Sequence, residues 1–407
     1  MSTVLELPSK RPSPMAEVLD RLCGAPRLKP FSAPATAVLG ELSRRILAEP
    51  DLARRPETAA LAFWLRPANL AVLAKDVPPA PRNAMRVPAG LALHFAPANV
   101  DSMFVYSWAF SLLAGNRNLL RLSSRRGEMA ERLLGLIPKA LEMAPEVAQG
   151  TAFIQFDHDD AITAAASARC DLRIIWGGNA SVAAVRAVPL SPHANEIVFA
   201  DRLSLTLLSA QAVLALSDTE LTALAGRMFN DIYSFDQMAC SSARLLVWLG
   251  GTTEADDAEQ RLSTAMRAQC SQRRYALEPA TALAKYSLAC RASMDLPVRK
   301  VEAAAMDWVV IDLGKGMPDT ARMEVCGGGL LYGCRVDSLD EIVPGVGRNM
   351  QTLSHFGIAL EQLEALASEL AGRGIDRMVP VGEALAFGPI WDGYNLLAQM
   401  GRLVVVR

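Results

Sequence analysis

Cys240 sits in the stretch Tyr233–Arg244, YSFDQMACSSAR, with the small residues Ala239 and Ser241 on either side. Small flanks leave the thiol approachable. A cysteine so placed becomes a nucleophile when helix N-terminal amides or a nearby cation favour its thiolate. It serves equally well as a small core residue, because unpaired cysteine is among the most buried side-chain types. The other six cysteines, Cys23, Cys170, Cys270, Cys290, Cys326 and Cys334, are scattered and form no CxxC pair. An odd, scattered set argues against a disulfide scaffold and against a zinc site. The four histidines stand at no metal-ligand spacing, so no metal is expected. No P-loop, GxSxG or HExxH motif occurs, and Gly177–Gly178 is not part of a GxGxxG fingerprint.

The elements that must position Cys240 can be read from periodicity. Leu221–Ile232 has the spacing of an amphipathic helix, and Ala243–Leu249, ARLLVWL, is a β-rich run. That places Cys240 in a turn or on a short helix between regular elements. Upstream, Pro34–Leu47 and Pro56–Leu65 carry helical spacing. Met85–Phe95 reads as a strand, with Pro88–Gly90 interrupting it as a turn or edge feature. Met103–Leu113 is a long apolar helix and Asn118–Leu122 a strand, which together with the preceding strand make a right-handed βαβ unit. Helices at Glu128–Met143, Asp159–Ala168 and Ser181–Val185 then alternate with strands at Thr151–Phe156, Leu172–Trp176 and Glu196–Ala200. This alternation predicts an α/β fold with a doubly wound parallel sheet. Such sheets bind ligands at the carboxyl ends of their strands, where the loops Pro97–Asp101, Ser123–Gly127 and Gly177–Asn179 would gather. Beyond Cys240, helices are expected at Ala255–Gln269, Thr281–Ala292 and Ile358–Leu370, and strands at Trp308–Leu313 and Arg402–Arg407. A glycine triplet lies in MEVCGGGLLYGCR.

With 407 residues the chain suggests two or three domains, and with 51% hydrophobic and 21% charged residues it matches an ordinary globular protein with a large core. A net charge of −2 gives no polyanion-binding face, so no nucleic-acid partner is expected. Residues 1–35, rich in Pro, Lys and Arg, are expected to wrap the surface. No signal-peptide core and no long apolar span occurs, so no membrane span is expected and a reducing cytoplasm is the simplest location.

In chain order, APAN, AGNRNLLRLSS, IIWGG and DQMACSS resemble the aldehyde dehydrogenase superfamily. Within it the chain is most similar to the acyl-CoA reductase family, typified by the luciferase-linked fatty acid reductase. The tail DRMVPVGEALAFGPIWDGYNLL, Asp376–Leu397, fits the same branch, and the similarity runs over residues 85–407. The resemblance implies a Rossmann-type cofactor domain, an α/β catalytic domain and a small oligomerisation element. Their expected spans are 1–210, 211–380 and 381–407. It also implies a homodimer or homotetramer.

Carried over by motif, the resemblance makes Cys240 the nucleophile. Asn99 becomes the side-chain donor of an oxyanion hole, together with the Cys240 backbone N–H; the plainer reading of Asn99 is a loop cap. Arg121, where the family usually has a lysine, would hold an NADPH 2′-phosphate with Ser123 and Ser124. Arg121 also reads as a solvated strand end. Trp176, Gly177 and Gly178 match the turn over the cofactor's phosphates and nicotinamide. Glu324 falls near the glutamate that contacts the nicotinamide ribose, although the flanking Gly triplet replaces the family's usual Phe-Gly-Pro.

A second departure bears on mechanism. Hydrolytic relatives carry a Glu-Leu-Gly-Gly motif where this chain has Pro189–Leu190–Ser191–Pro192. Without that carboxylate no general base is in place to activate water. His193 is near enough in sequence to substitute, or to play a polar structural role. The resemblance thus implies NADPH-dependent reduction of an acyl thioester, on CoA or a carrier protein, to an aldehyde. Two alternatives stay open: a CoA-acylating aldehyde dehydrogenase working oxidatively, and a non-catalytic protein of this fold that binds an acyl carrier.

Overall fold

Short apolar runs alternating with helices become parallel strands. The computed structural model describes residues 2–97, 99–157 and 159–407. It divides into two units, one made of the chain up to Asp201 together with Phe387–Arg407, the other of Arg202–Ala386.

The strands of the first unit, in chain order, are β1 (Thr3–Leu7), β2 (Arg11–Pro14), β3 (Ala84–Pro88), β4 (Leu91–Phe95), β5 (Arg117–Arg121), β6 (Thr151–Gln155), β7 (Leu172–Trp176) and β8 (Asn195–Phe199). Seven of them form one sheet in the order β2-β1-β6-β5-β4-β7-β8. From β6 to β8 neighbours run parallel, while β1 is antiparallel to both β2 and β6. The helix Met103–Leu113, buried along its whole length, connects β4 to β5. The chain steps from β4 to β5 and β6 on one side, then returns to β7 and β8 on the other. The switch point of the sheet is therefore at β4, the usual place for a ligand crevice. The loops after β4, β5 and β7 leave the same, carboxyl edge of the sheet.

Two expectations are corrected. Residues 1–35 do not wrap the surface. β1 and β2 extend the sheet, and the helix Met15–Gly24 puts Met15, Val18, Leu19 and Leu22 into the core beside Leu93 and Ile154. The helical spacing of those apolar residues outweighs the polar composition around them. Met85–Phe95 is two strands, and β3 leaves the main sheet. Gly90 turns the chain at φ +138°, and a Cβ there would lie 2.0 Å from Asp171 Oδ2, the atom that receives the Leu91 N–H.

The second unit has its own seven-stranded sheet. Its strands are β9 (Leu203–Ser209), β10 (Ala243–Leu249), β11 (Lys300–Ala305), β12 (Trp308–Lys315), β13 (Leu330–Val336), β14 (Met350–Phe356) and β15 (Arg377–Pro380). The order is β11-β12-β13-β10-β9-β14-β15, parallel throughout except at the β11–β12 edge. Helices cover both faces, so β10 is apolar on both sides. Leu245 and Val247 pack with Leu207 and Tyr332, while Leu246 and Trp248 pack with Leu208 and Leu331.

The chain then returns to the first unit through β16 (Ile390–Trp391), β17 (Tyr394–Asn395) and β18 (Gly401–Val405). Phe387 and Trp391 pack 5.3 and 5.6 Å from the Tyr106 ring, and Tyr106 Oη donates to Gly388 O at 2.7 Å. Asn116 Nδ2 reaches Met400 O at 2.8 Å. β18 pairs antiparallel with β3 in a separate ribbon, with Leu403 opposite Arg86. Among the described residues no helix is long and apolar enough to cross a membrane.

Candidate active site

The turn that carries Cys240 begins where a helix is made to stop. Asp218–Tyr233 starts at a capping box between Ser217 and Glu220. It ends as Phe235, Asp236 and Gln237 enter the left-handed region at φ 55°, 50° and 65°. Cys240 follows, half-buried, just before the amino end of β10. Its carbonyl accepts the Ser204 hydroxyl at 2.7 Å, and Ser204 Oγ in turn accepts the Thr352 N–H at 3.2 Å. Ser241 and Ser242, which the sequence marks only as small neighbours, are buried behind it. The guanidinium of Arg244 is also buried, and burial pulls its pKa down to about 10, opposed by the nearby Cys326.

The Gly triplet faces this turn. Gly327, Gly328 and Gly329 all have positive φ, at 82°, 65° and 79°. The triplet precedes β13 as the Cys240 turn precedes β10, and the two strands are parallel neighbours. Gly328 N donates to Asp236 O at 3.1 Å. Lys285, fully buried, donates to Gly328 O and Met306 O, and burial lowers its pKa to about 8. Burial pushes the Cys326 thiol upward, with Lys285 and Arg244 pulling the other way. Glu324 is exposed and paired with Arg291 at 2.7 Å, which holds its carboxyl below the usual range.

The remaining sequence-predicted residues lie at the carboxyl edge of the first sheet. Asn99 is exposed in the loop after β4; Ala98, its neighbour in the Pro-Ala-Asn motif, is outside the described residues. Asp101 Oδ1, in the same loop, receives the Gly127 N–H at 3.3 Å and so ties this loop to the one after β5. Arg121 ends β5. Its Nη2 donates to Phe156 O at 3.3 Å, and its guanidinium lies 5.6 Å from the Phe156 ring centre. Burial lowers the Arg121 pKa, with Asp157 opposing. Ser123 Oγ receives the Arg125 N–H at 3.1 Å, and Ser124 is exposed. Trp176, at the end of β7, stacks on Phe199 at 3.6 Å. Gly177 N donates to Phe199 O at 3.1 Å, and Gly178 precedes the helix Asn179–Ala187, whose first N–H is taken by Asp201 Oδ2 at 2.8 Å. His193 is the exception: it is exposed in the turn before β8, at the opposite, amino edge of the sheet.

Two supporting groups are not legible as such in the sequence. His94, in LALHF, belongs to none of the motifs, yet it is fully buried and organises the Trp176 end of the sheet. Its Nε2 lies 3.1 Å from Asn118 Oδ1 and its Nδ1 lies 2.8 Å from Ser107 Oγ. Asn118 spends its N–H on Asn116 O, so its Oδ1 must accept and the ring proton sits on Nε2. Ser107 then donates to Nδ1 and accepts from Trp176 Nε1 at 3.0 Å. Burial drives the His94 pKa down to about 4, so the ring is neutral. The second missed group is Gln237. A histidine inside an apolar strand marks the first; Gln237 lies in the DQMACSS stretch, with no local sign of its burial.

The two sheets, with the switch point at β4 and the thiol turn at β10, define a protein of aldehyde dehydrogenase fold. It is similar to succinic semialdehyde dehydrogenase from Streptococcus pyogenes, solved with NADP⁺ (TM-score 0.69, 13% identity, covering 96% of this chain and 94% of that one). It is also similar to aldehyde dehydrogenase 21 from Physcomitrella patens (TM-score 0.68, 13% identity, 96% and 89% covered). The chain belongs to the acyl-CoA reductase (LuxC) family, whose pattern matches residues 70–403. A curated relative is the long-chain acyl-protein thioester reductase of Photorhabdus laumondii subsp. laumondii, 23% identical over 321 residues. That match takes in 77% of this chain and 63% of the relative, so the chain spans less than two thirds of the relative's length.

Proposed function

We propose that this chain reduces an acyl thioester to an aldehyde, with Cys240 as nucleophile and NADPH as cofactor. The observation that carries the reading is the Cys240 turn itself, a half-buried thiol braced on both sides at the amino end of a central strand, in a chain of the acyl-CoA reductase family. The Cys240 thiolate attacks the thioester carbonyl, and the bond to the carrier sulfur breaks. The leaving thiolate needs little acid assistance, since an ordinary thiol pKa is about 8.5. Asn99, by its place in the motif, is assigned to the developing oxyanion with the Cys240 N–H; one such donor is worth about 3–4 kcal/mol. After reduction, the thiohemiacetal on Cys240 collapses, the C–S bond breaks and the aldehyde leaves.

The donors at the first sheet's carboxyl edge suit a phosphorylated dinucleotide. Arg121 spends one N–H on Phe156 O and keeps the rest of its fork for a 2′-phosphate, beside Ser123 and the exposed Ser124. Trp176 offers a flat, fixed ring, and Gly177 and Gly178 a backbone without side chains before a helix. Glu324 is assigned to the nicotinamide ribose by motif position alone. When bound, NADPH supplies the hydride. The segment Pro189–Pro192 supplies no carboxylate and His193 is exposed to solvent, so the acyl-enzyme is kept from water-driven release. The acyl group arrives on CoA or on a protein, as the name of the curated relative suggests. The apolar ribbon of β3 and β18, where Met85, Leu403 and Val405 are about half exposed, supports self-association of the C-terminal segment as a homodimer or homotetramer.

The test is a panel of acyl-CoA and acyl-protein thioesters assayed for NADPH consumption, with peptide mapping of any acyl adduct. An adduct on Cys240, and loss of turnover in Cys240→Ala, are expected. An adduct on Cys326 instead, or an Ala variant with near wild-type turnover, would sink the assignment.

A further inference from the structure

Three consecutive non-glycine residues, Phe235, Asp236 and Gln237, hold left-handed backbone just ahead of Cys240. Each such residue costs about 1–2 kcal/mol. The run persists only because surrounding contacts over-determine it. Those contacts converge on one side chain. Gln237 is fully buried; its Nε2 donates to Ala243 O at 2.7 Å and to Leu330 O at 3.0 Å. Its Oε1 accepts from Gly329 N at 2.9 Å and from Leu330 N at 3.2 Å. Both amide hydrogens and both lone pairs are therefore in use.

The bond to Ala243 has a geometric consequence. It closes residues 237–243 into a ring with Cys240 at its midpoint. The bonds to Gly329 and Leu330 fasten that ring to the start of β13, and Ser204 holds the Cys240 carbonyl from β9. The glycine triplet is what lets the two turns meet. A Cβ on Gly327 would lie 2.6 Å from Asp236 O, and one on Gly329 would lie 2.3 Å from Tyr233 Oη.

We propose that Gln237 is a positioning residue for the reaction. It fixes the direction in which the ring presents the Cys240 thiol, without itself touching substrate. The proposal rests on the reading of Cys240 as the nucleophile. Misplacing a reacting group by about 1 Å costs on the order of a hundredfold in rate.

The test uses the full chain with Gln237→Met, which keeps length and loses all four hydrogen bonds, and Gln237→Asn, which keeps the amide and loses reach. Steady-state constants are measured with an acyl-CoA and NADPH. In parallel, the rate of iodoacetamide alkylation of Cys240, mapped by peptide mass spectrometry, is followed across pH. The expected result is a kcat about tenfold to a hundredfold lower with KM little changed, and a displaced pH profile of Cys240 alkylation. A merely structural role would lower the active fraction and leave the profile of the folded protein unmoved. An unmoved profile in either folded variant, or failure of both to fold, overturns the proposal. Cys240→Ala, run alongside, separates the two ideas. Turnover in that variant removes Cys240 as nucleophile, while the alkylation profile still reports whether Gln237 orients the thiol.

Discussion

Replacing His94 by Gln removes a titration without removing a hydrogen-bonding side chain. The native ring is fully buried and its pKa falls from 6.5 to about 4. The unfolded chain takes up a proton below about pH 6.5, the native chain only near pH 4. Stability from the neutral ring is therefore complete above pH 6.5 and is lost as the pH falls toward 4. Each pH step of one across that window removes about 1.4 kcal/mol, so the loss reaches about 2 kcal/mol at pH 5 and about 3 kcal/mol near pH 4. The assay is urea unfolding from pH 8 to pH 4.5, followed by circular dichroism and tryptophan fluorescence. Carboxylates destabilise both proteins equally in acid, so the difference between wild type and His94→Gln isolates the ring. The gap between the two should close, or reverse, by about 2 kcal/mol between pH 8 and pH 5. Parallel profiles across that range would refute a buried neutral His94.

Arg121→Ala should raise KM for NADPH far more than KM for NADH, measured by initial rates with each cofactor; equal effects would detach Arg121 from the 2′-phosphate. Acid release from an acyl-CoA without NADPH should run at least about a hundredfold slower than aldehyde formation, since general-base assistance is worth about a hundred- to ten-thousand-fold. Release at the reductase rate would point to His193 or another base. Gly329→Ala, with its Cβ 2.5 Å from Asp307 O at φ +79°, should cost about 3 kcal/mol in the urea midpoint. A cost below about 1 kcal/mol would mean the triplet has slack.

Much of the first sheet is legible because its strands and helices alternate with different apolar periods. Met103–Leu113 and Leu172–Trp176 fall where periodicity puts them. The N-terminal arm misleads because its prolines and cations dominate composition, while four apolar residues at helical spacing decide its place. The turn at Cys240 is legible in its small flanks and in its place between helix and strand. Its left-handed run is not, because Phe and Gln have no local preference for that conformation, one Asp does not make a run of three, and tertiary hydrogen bonds impose it. For the same reason the glycine triplet reads only as a departure from a family pattern; its partner lies some ninety residues earlier in the chain.

Because Phe387–Arg407 belongs to the first unit, the second is an insertion within it. Tyr106 waits for Gly388, 282 positions later, and Asn116 for Met400, 284 positions later. During synthesis on the ribosome, residues 202–386 acquire all the partners within their own sheet while the first unit still lacks its aromatic closure and the strand that pairs with β3. The part of the chain made first is thus completed last. A stalled or clipped nascent chain ending near residue 386 would carry a finished thiol turn and a complete seven-stranded first sheet, yet leave β3 without its partner and Tyr106 without its aromatic cover.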